Sequence, residues 1–323
     1  MRQLAAFAVA AAMLQCAVPA SAQNWPTRPV TLVVGFAPAG GTDVLARIIA
    51  KRLSEVLGQQ VVVENVGGAG GMVGSARVVK APPDGYTIVM GTRADAINQT
   101  LYKKPLYDFK TDLLPVVLIA DQPMVMIARP DIPANGLQEL IAYVKANQQT
   151  VKFASAGAGS TGHLDCVRFH TAIGVNVTHV PYRGGGPAMQ DLIAGRVDYI
   201  CTLSATAAPQ IEGKMVRPIG VFVQNRLPNL PNLPTAKEQG FDLEASTWFG
   251  FMVPKGTPTP IIQKLREATI EAMNTPSVQD QLLKTGSLVV APERRTTEFF
   301  RQYVLDEIER NAVPIRATGV AIE

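Results

Sequence analysis

The sequence predicts an α/β protein of two similar lobes with a ligand cleft between them. Three observations predict it. Strand-like and helix-like segments alternate along most of the chain. A strand–glycine turn–helix unit occurs twice, as "VVGFAPAGGTDVLARII" and "VKFASAGAGSTGHLDCV", about 120 residues apart. Some 300 residues follow Ala22, more than one hydrophobic core usually serves.

Arg2, the apolar run "LAAFAVAAAML" and the small residues Ala20-Ser21-Ala22 predict a secretory signal peptide over residues 1–22 and export to the periplasm. Gln15 is a poor residue to precede a lipidated cysteine at Cys16. "VTLVVGF" (Val30–Phe36) reads as a strand, and Val44, Leu45, Ile48, Ile49 and Leu53 recur at helical spacing after it. "VVVEN", a glycine stretch and "YTIVMGT" complete a βαβαβ pattern. "LLPVVLIADQPMVMIA" is interrupted by Asp121, Gln122 and two prolines, so it is no membrane span. The pattern restarts with "VKFAS", "VTHVPY", "GPAMQDLIAGR", "VDYICT" and "RPIGVFV", and ends with "TWFGFMVP" and proline-initiated helices. The domains predicted from this are residues 23–110 with 226–323 for one lobe and 111–225 for the other.

Composition narrows the partners. Hydrophobic residues at 47% suit a globular chain, and the net charge of +4 is spread without a basic block, so no nucleic-acid partner is indicated. Cys166 and Cys201 are the two cysteines beyond the leader; an exported protein permits a disulfide between them, and two buried thiols are the alternative.

The chemistry turns on "FASAGAGSTGHL". Gly157, Gly159 and Gly162 match G-x-G-x-x-G, but no acid lies between Asp165 and Asp191 to hold a ribose hydroxyl, although Arg183 stands where a 2′-phosphate would be met. Ser160 would need a base for hydrolysis. The three histidines are His163, His170 and His179, and none stands in triad order or in an H-x-x-x-H pair for a metal. No cofactor or metal is expected. Anion binding remains: two helix N-termini offer unpaired N–H groups and positive dipole ends. One is Ala37–Asp43, with the N–H groups of Ala39, Gly40 and Gly41 and the Thr42 hydroxyl; the other is Ser160–Gly162. Asp43 would repel an anion, so it reads as a helix-starting residue.

The long segment from "WPTRPVTLVVGFAPAGGTDVLARI" to "YTIVMGT", with "GSTGHL", "HVPYRGGGPAMQDLIAGRVDYI", "LPNLPTAKEQGF" and "WFGFMVPKGTP", resembles the extracytoplasmic solute receptors of tripartite tricarboxylate transporters, the Bug receptors. The resemblance covers nearly all of the chain after the leader. It implies a type II periplasmic-binding-protein fold, each lobe a doubly wound mixed sheet flanked by helices. It implies a monomer that closes on a small carboxylate and delivers it to membrane permease subunits. By position, the proximal carboxylate would meet the Ala37–Thr42 turn and Ser160, Thr161 and Gly162. Ala39 stands where many relatives have glycine, and its methyl would ask for negative φ. Arg93 either grips the distal carboxylate of a dicarboxylic acid or pairs with Asp95 or solvent; Arg183 is a second candidate. Phe36 either walls the cleft or packs in the core, as does Trp248. Thr92 and Ser204 complete the candidate ligand-binding set. An exported serine hydrolase using Ser160 and a ligand-sensing partner of a signalling system are the alternative functions.

Overall fold

A computed structural model describes residues 25–318, 321 and 322. The predicted signal segment, residues 1–22, lies outside the described residues. The first unit is β1 (Val30–Val34), α1 (Gly41–Leu57), β2 (Val61–Asn65), a 3-10 turn at Ala69–Gly71, α2 (Met72–Val79), β3 (Thr87–Thr92) and α3 (Arg93–Leu101). β1 pairs in parallel with β2 and β3, as the βαβαβ pattern requires. Helix α1 stops at Gly58, whose φ of 66° is the left-handed cap that glycine adopts freely.

β4 (Leu113–Ala128) is one strand of 16 residues where the sequence shows an interrupted run. Its prolines are tolerated for identifiable reasons. Pro115 stands beside a register shift, and Pro123 stands where the strand exchanges one partner for others. Up to Pro123 it pairs with β9 (Ser246–Pro254); from Met124 it pairs with β7 (Tyr199–Leu203) and β8 (Arg217–Val221). The second unit follows as α4 (Leu137–Asn147), β5 (Lys152–Ser155), α5 (Thr161–Ile173), β6 (Thr178–Pro181) and α6 (Gly185–Ile193), then α7 (Ser204–Glu212) after β7. α8 (Thr259–Asn274), α9 (Pro276–Lys284), β10 (Leu288–Val289) and α10 (Thr297–Thr318) close the chain.

The strand order is β2-β1-β3-β9-β4-β7-β5-β6, with β8 and β10 also on β4. β4 thus carries a mixed sheet at each end, in the two-lobed arrangement of a type II periplasmic binding protein. The large core takes residues between Trp25 and Ala120 and between Trp248 and Ile308. The cores flanking the other sheet take residues between Met124 and Ala245. Trp248 is buried in the first, its Nε1–H donating to Glu307 Oε2 at 3.0 Å. Leu113–Ala120 pack in the first core and Leu227–Ala245 in the others, so the cores divide inside β4 and ahead of β9. Among the described residues, no helix is long and apolar enough to cross a membrane.

Candidate functional site

The two repeated turns face one another across a cavity of about 40 Å³. From one lobe come Phe36, Gly40, Gly41 and Thr42, with Thr92 at the end of β3. From the other come Ser160, Thr161 and Gly162, then Gly185, Cys201, Thr202, Leu203 and Thr206. Thr247 of β9 and Met124 of β4 lie where the lobes join. Seven of the eleven predicted ligand residues therefore line the cavity: Phe36, Gly40, Thr42, Thr92, Ser160, Thr161 and Gly162. Phe36 is also packed, only 8% exposed.

Each wall is the start of a helix. Gly40 is the N-cap of α1, Thr92 of α3, Ser160 of α5 and Leu203 of α7; Gly185 opens α6. Five helix N-termini thus converge on a cavity whose wall carries no charged side chain. Each contributes up to about half a positive charge through its unpaired N–H groups. The field favours an anion without any cationic residue.

Local hydrogen bonds decide which groups remain free. Thr92 is held by a capping box with Asp95. Ser160 Oγ accepts the His163 N–H at 3.3 Å, and His163 Nδ1 accepts the Gly159 N–H at 3.3 Å, so that imidazole nitrogen braces the turn. The Gly41 N–H donates to Thr206 Oγ1 of the other lobe at 2.8 Å, and the Ala39 N–H donates to Asp43 Oδ2 at 3.0 Å. Of the three turn N–H groups expected to face an anion, two are thereby engaged within the protein. Asp43 is a turn brace. Burial pushes its carboxyl up, but hydrogen bonds from Arg47, Asn65 and Ala39 outweigh this and hold it below the ordinary range. Cys166 and Cys201 are joined in a disulfide, Cα atoms 5.8 Å apart, which ties α5 to β7 directly beneath the cavity.

Four predicted residues stand elsewhere. Ala39 is off the cavity wall and has φ of +64°, not the negative φ its methyl suggests; the Asp43 brace and the packed turn hold it there. A left-handed alanine costs roughly 1–2 kcal/mol, part of which glycine's freer unfolded chain would take back. Ala39→Gly is therefore expected to stabilise the protein by up to about 1 kcal/mol, read as a higher urea midpoint; a lower midpoint would refute the strain. Arg93 is 12% exposed and committed inside the protein: to both Asp165 oxygens at 3.0 and 3.1 Å, to Asn311 Oδ1 at 2.8 Å and to the Ser246 carbonyl at 3.1 Å. It does not pair with Asp95, which instead accepts from Ser75 and Tyr107. Arg183 is exposed, and its carbonyl accepts the Ala37 N–H across the lobes at 2.9 Å. Ser204 is buried, its hydroxyl donating to the Thr285 carbonyl at 2.9 Å.

The wall residues that sequence reasoning missed are chiefly Gly185, Thr202, Thr206 and Thr247. The rule that ligands sit beyond the carboxyl ends of strands points to Gly185 and Thr202, after β6 and on β7. Thr247 carries no such signal.

Comparison with known proteins identifies relatives that share this fold. Residues 45–320 match the family described as the tripartite tricarboxylate transporter family receptor. The periplasmic binding protein BugD is 37% identical, with a TM-score of 0.90 over 93% of this chain and 100% of its own. MatC from Rhodopseudomonas palustris, solved with bound malate, is 35% identical, with a TM-score of 0.87 over 90% of this chain and 100% of its own. Another R. palustris protein, solved with adipate, is 35% identical, with a TM-score of 0.87 over 92% and 99%. The chain belongs to the tripartite tricarboxylate transporter receptor family.

Proposed function

We propose that the protein is an exported, monomeric solute receptor that closes on a small organic carboxylate, a dicarboxylate by preference, and hands it to the permease subunits of a tripartite transporter. The observation that carries this reading is the convergence of five helix N-termini on a neutral, hydroxyl-rich cavity. The malate and adipate held by two relatives support the ligand class. The ligand-binding roles of Gly40, Thr42, Thr92, Ser160, Thr161 and Gly162 belong to the same proposal. We draw the lobes where the cores divide, with crossings in β4 at Asp121–Pro123 and ahead of Ser246. Closure then shifts an open–closed equilibrium, since both lobes contact one anion.

The test is a thermal-shift screen over mono-, di- and tricarboxylates. A ligand that binds only the folded state adds about 2.7 kcal/mol at a hundred times its Kd. Ser160→Ala is expected to weaken binding of the best acid at least tenfold and to lower stability by only about 1 kcal/mol, the worth of an N-cap. If no carboxylate raises the melting temperature, the reading fails.

A further inference from the structure

The wall beside the cavity is built from glycines that leave no room between the lobes. The Ala37 N–H donates to the Arg183 carbonyl at 2.9 Å across this seam. A Cβ placed on Gly184 would stand 2.6 Å from Ala37 N and 2.9 Å from Ala37 Cβ. A Cβ on Gly186 would stand 2.4 Å from Pro38 O, and its next neighbours are also first-lobe atoms, Ala39 Cβ and C. Between them, Gly40 faces Gly185, with a Cβ on Gly40 at 3.3 Å from Gly185 N; both residues line the cavity.

Backbone conformation does not require these two glycines. Gly184 is extended at φ 166°, and Gly186 lies in the first turn of α6 outside the left-handed region. Alanine suits a helix at least as well as glycine. The three atoms nearest a Cβ at either position all belong to the first lobe. It is therefore first-lobe atoms that a side chain at Gly184 or Gly186 would meet first.

We propose that Gly184 and Gly186, meeting Ala37 and Pro38, are specificity-determining residues: they set how deeply the lobes close, and thereby how short a ligand the two sets of helix N-termini can grip together. The inference rests on the carboxylate reading. Relieving the 2.4 Å contact at Gly186 to the roughly 3.3 Å of an ordinary carbon–oxygen contact moves the walls apart by about 1 Å. A short diacid then no longer reaches both walls, while a longer one still does. Neither glycine donates a side chain to the ligand, so their effect is on reach and not on charge.

The experiment compares wild type, Gly184→Ala and Gly186→Ala by calorimetry with succinate and adipate, with melting temperatures measured ligand-free. The expected result is a loss of succinate affinity of at least tenfold in Gly186→Ala, with adipate weakened at least fivefold less. The ligand-free melting temperature should be unchanged or higher. Small-angle scattering of the succinate-saturated protein should show a larger radius of gyration in the variant. Wild type that binds the acids while both variants keep the same affinity ratio would overturn this inference alone. A lowered ligand-free melting temperature with equal loss of both acids would also overturn it, because the glycines would then serve packing within the lobe. Wild type that binds neither succinate nor adipate would remove the dicarboxylate preference and this inference together, while a mono- or tricarboxylate that still raises the melting temperature would leave the carboxylate reading standing.

Discussion

Acidification is expected to unfold this protein between about pH 5 and 4, with a proton uptake approaching three. The cause is one aromatic stack in the second lobe. The rings of His163 and His179 lie 4.2 Å apart, His179 lies 4.7 Å from Phe153, and Phe153 lies 4.6 Å from His170. Burial lowers the His163 pKa to about 4. Burial first, then charge on neighbouring histidines, lowers His170 and His179 to about 3. In the unfolded chain each titrates near 6.5. The folded state therefore refuses protons that the unfolded state accepts, so stability is complete above pH 6.5 and is lost as pH falls toward 4. Each histidine contributes up to about 1.4 kcal/mol per pH unit in that window, and the three together roughly 4. Falling from pH 6.5 to between 5 and 4 therefore removes about 6–10 kcal/mol, which is most of a total stability of order 5–15 kcal/mol. Carboxylates held low, such as Asp43, add their loss only further down the scale. Urea unfolding at pH 7, 6, 5.5 and 5 measures the slope directly. An unfolding free energy that stays level from pH 7 to 5 would show that the stack accepts charge in place.

The legible part of this fold is the part made of local pattern. The turn of β1–α1 and that of β5–α5 are visible because strand, glycine turn and amphipathic helix follow within some thirty residues. The continuity of β4 is not visible. Asp121, Gln122 and Pro123 read as a break, whereas the chain there only changes partners, and a partner is set by residues more than seventy positions away. The site divides the same way. Helix-start chemistry points to Gly40, Thr42 and Ser160–Gly162, since N-caps declare themselves within four residues. Thr202, Thr206 and Thr247 arrive from other segments as ordinary threonines with no periodicity to mark them. Ala39 shows the limit of a steric rule: its methyl disfavours positive φ, yet the Asp43 carboxylate and the packed turn hold it at +64°. Arg93 is the sharpest case. A cation after a strand near a cleft reads as a ligand clamp, and nothing in its neighbourhood announces Asp165, 72 residues on.

Removing that partner is expected to be the most damaging single substitution on the ordinary pH scale. Asp165 is fully buried and Arg93 nearly so, and the pair spans the two lobes. Arg168 also reaches Asp165, at 3.3 Å, but is 29% exposed and can turn to water. Arg93 has no such escape: Asn311 and the Ser246 carbonyl hold it in place without neutralising it. Breaking a buried pair by deleting one member leaves an uncompensated charge and costs about 3–5 kcal/mol. Asp165→Ala should fall in that range by urea unfolding. Replacing both members by apolar residues of similar size is often near neutral. Arg93→Met combined with Asp165→Leu should therefore recover most of the loss, and a double variant no better than the single would refute the buried-charge account. The same variant decides what Arg93 does for ligands. Its guanidinium is occupied by protein groups and is absent from the cavity wall, so the double variant should bind its best carboxylate within about threefold of wild type. A tenfold loss of affinity, with folding intact, would return Arg93 to the binding site.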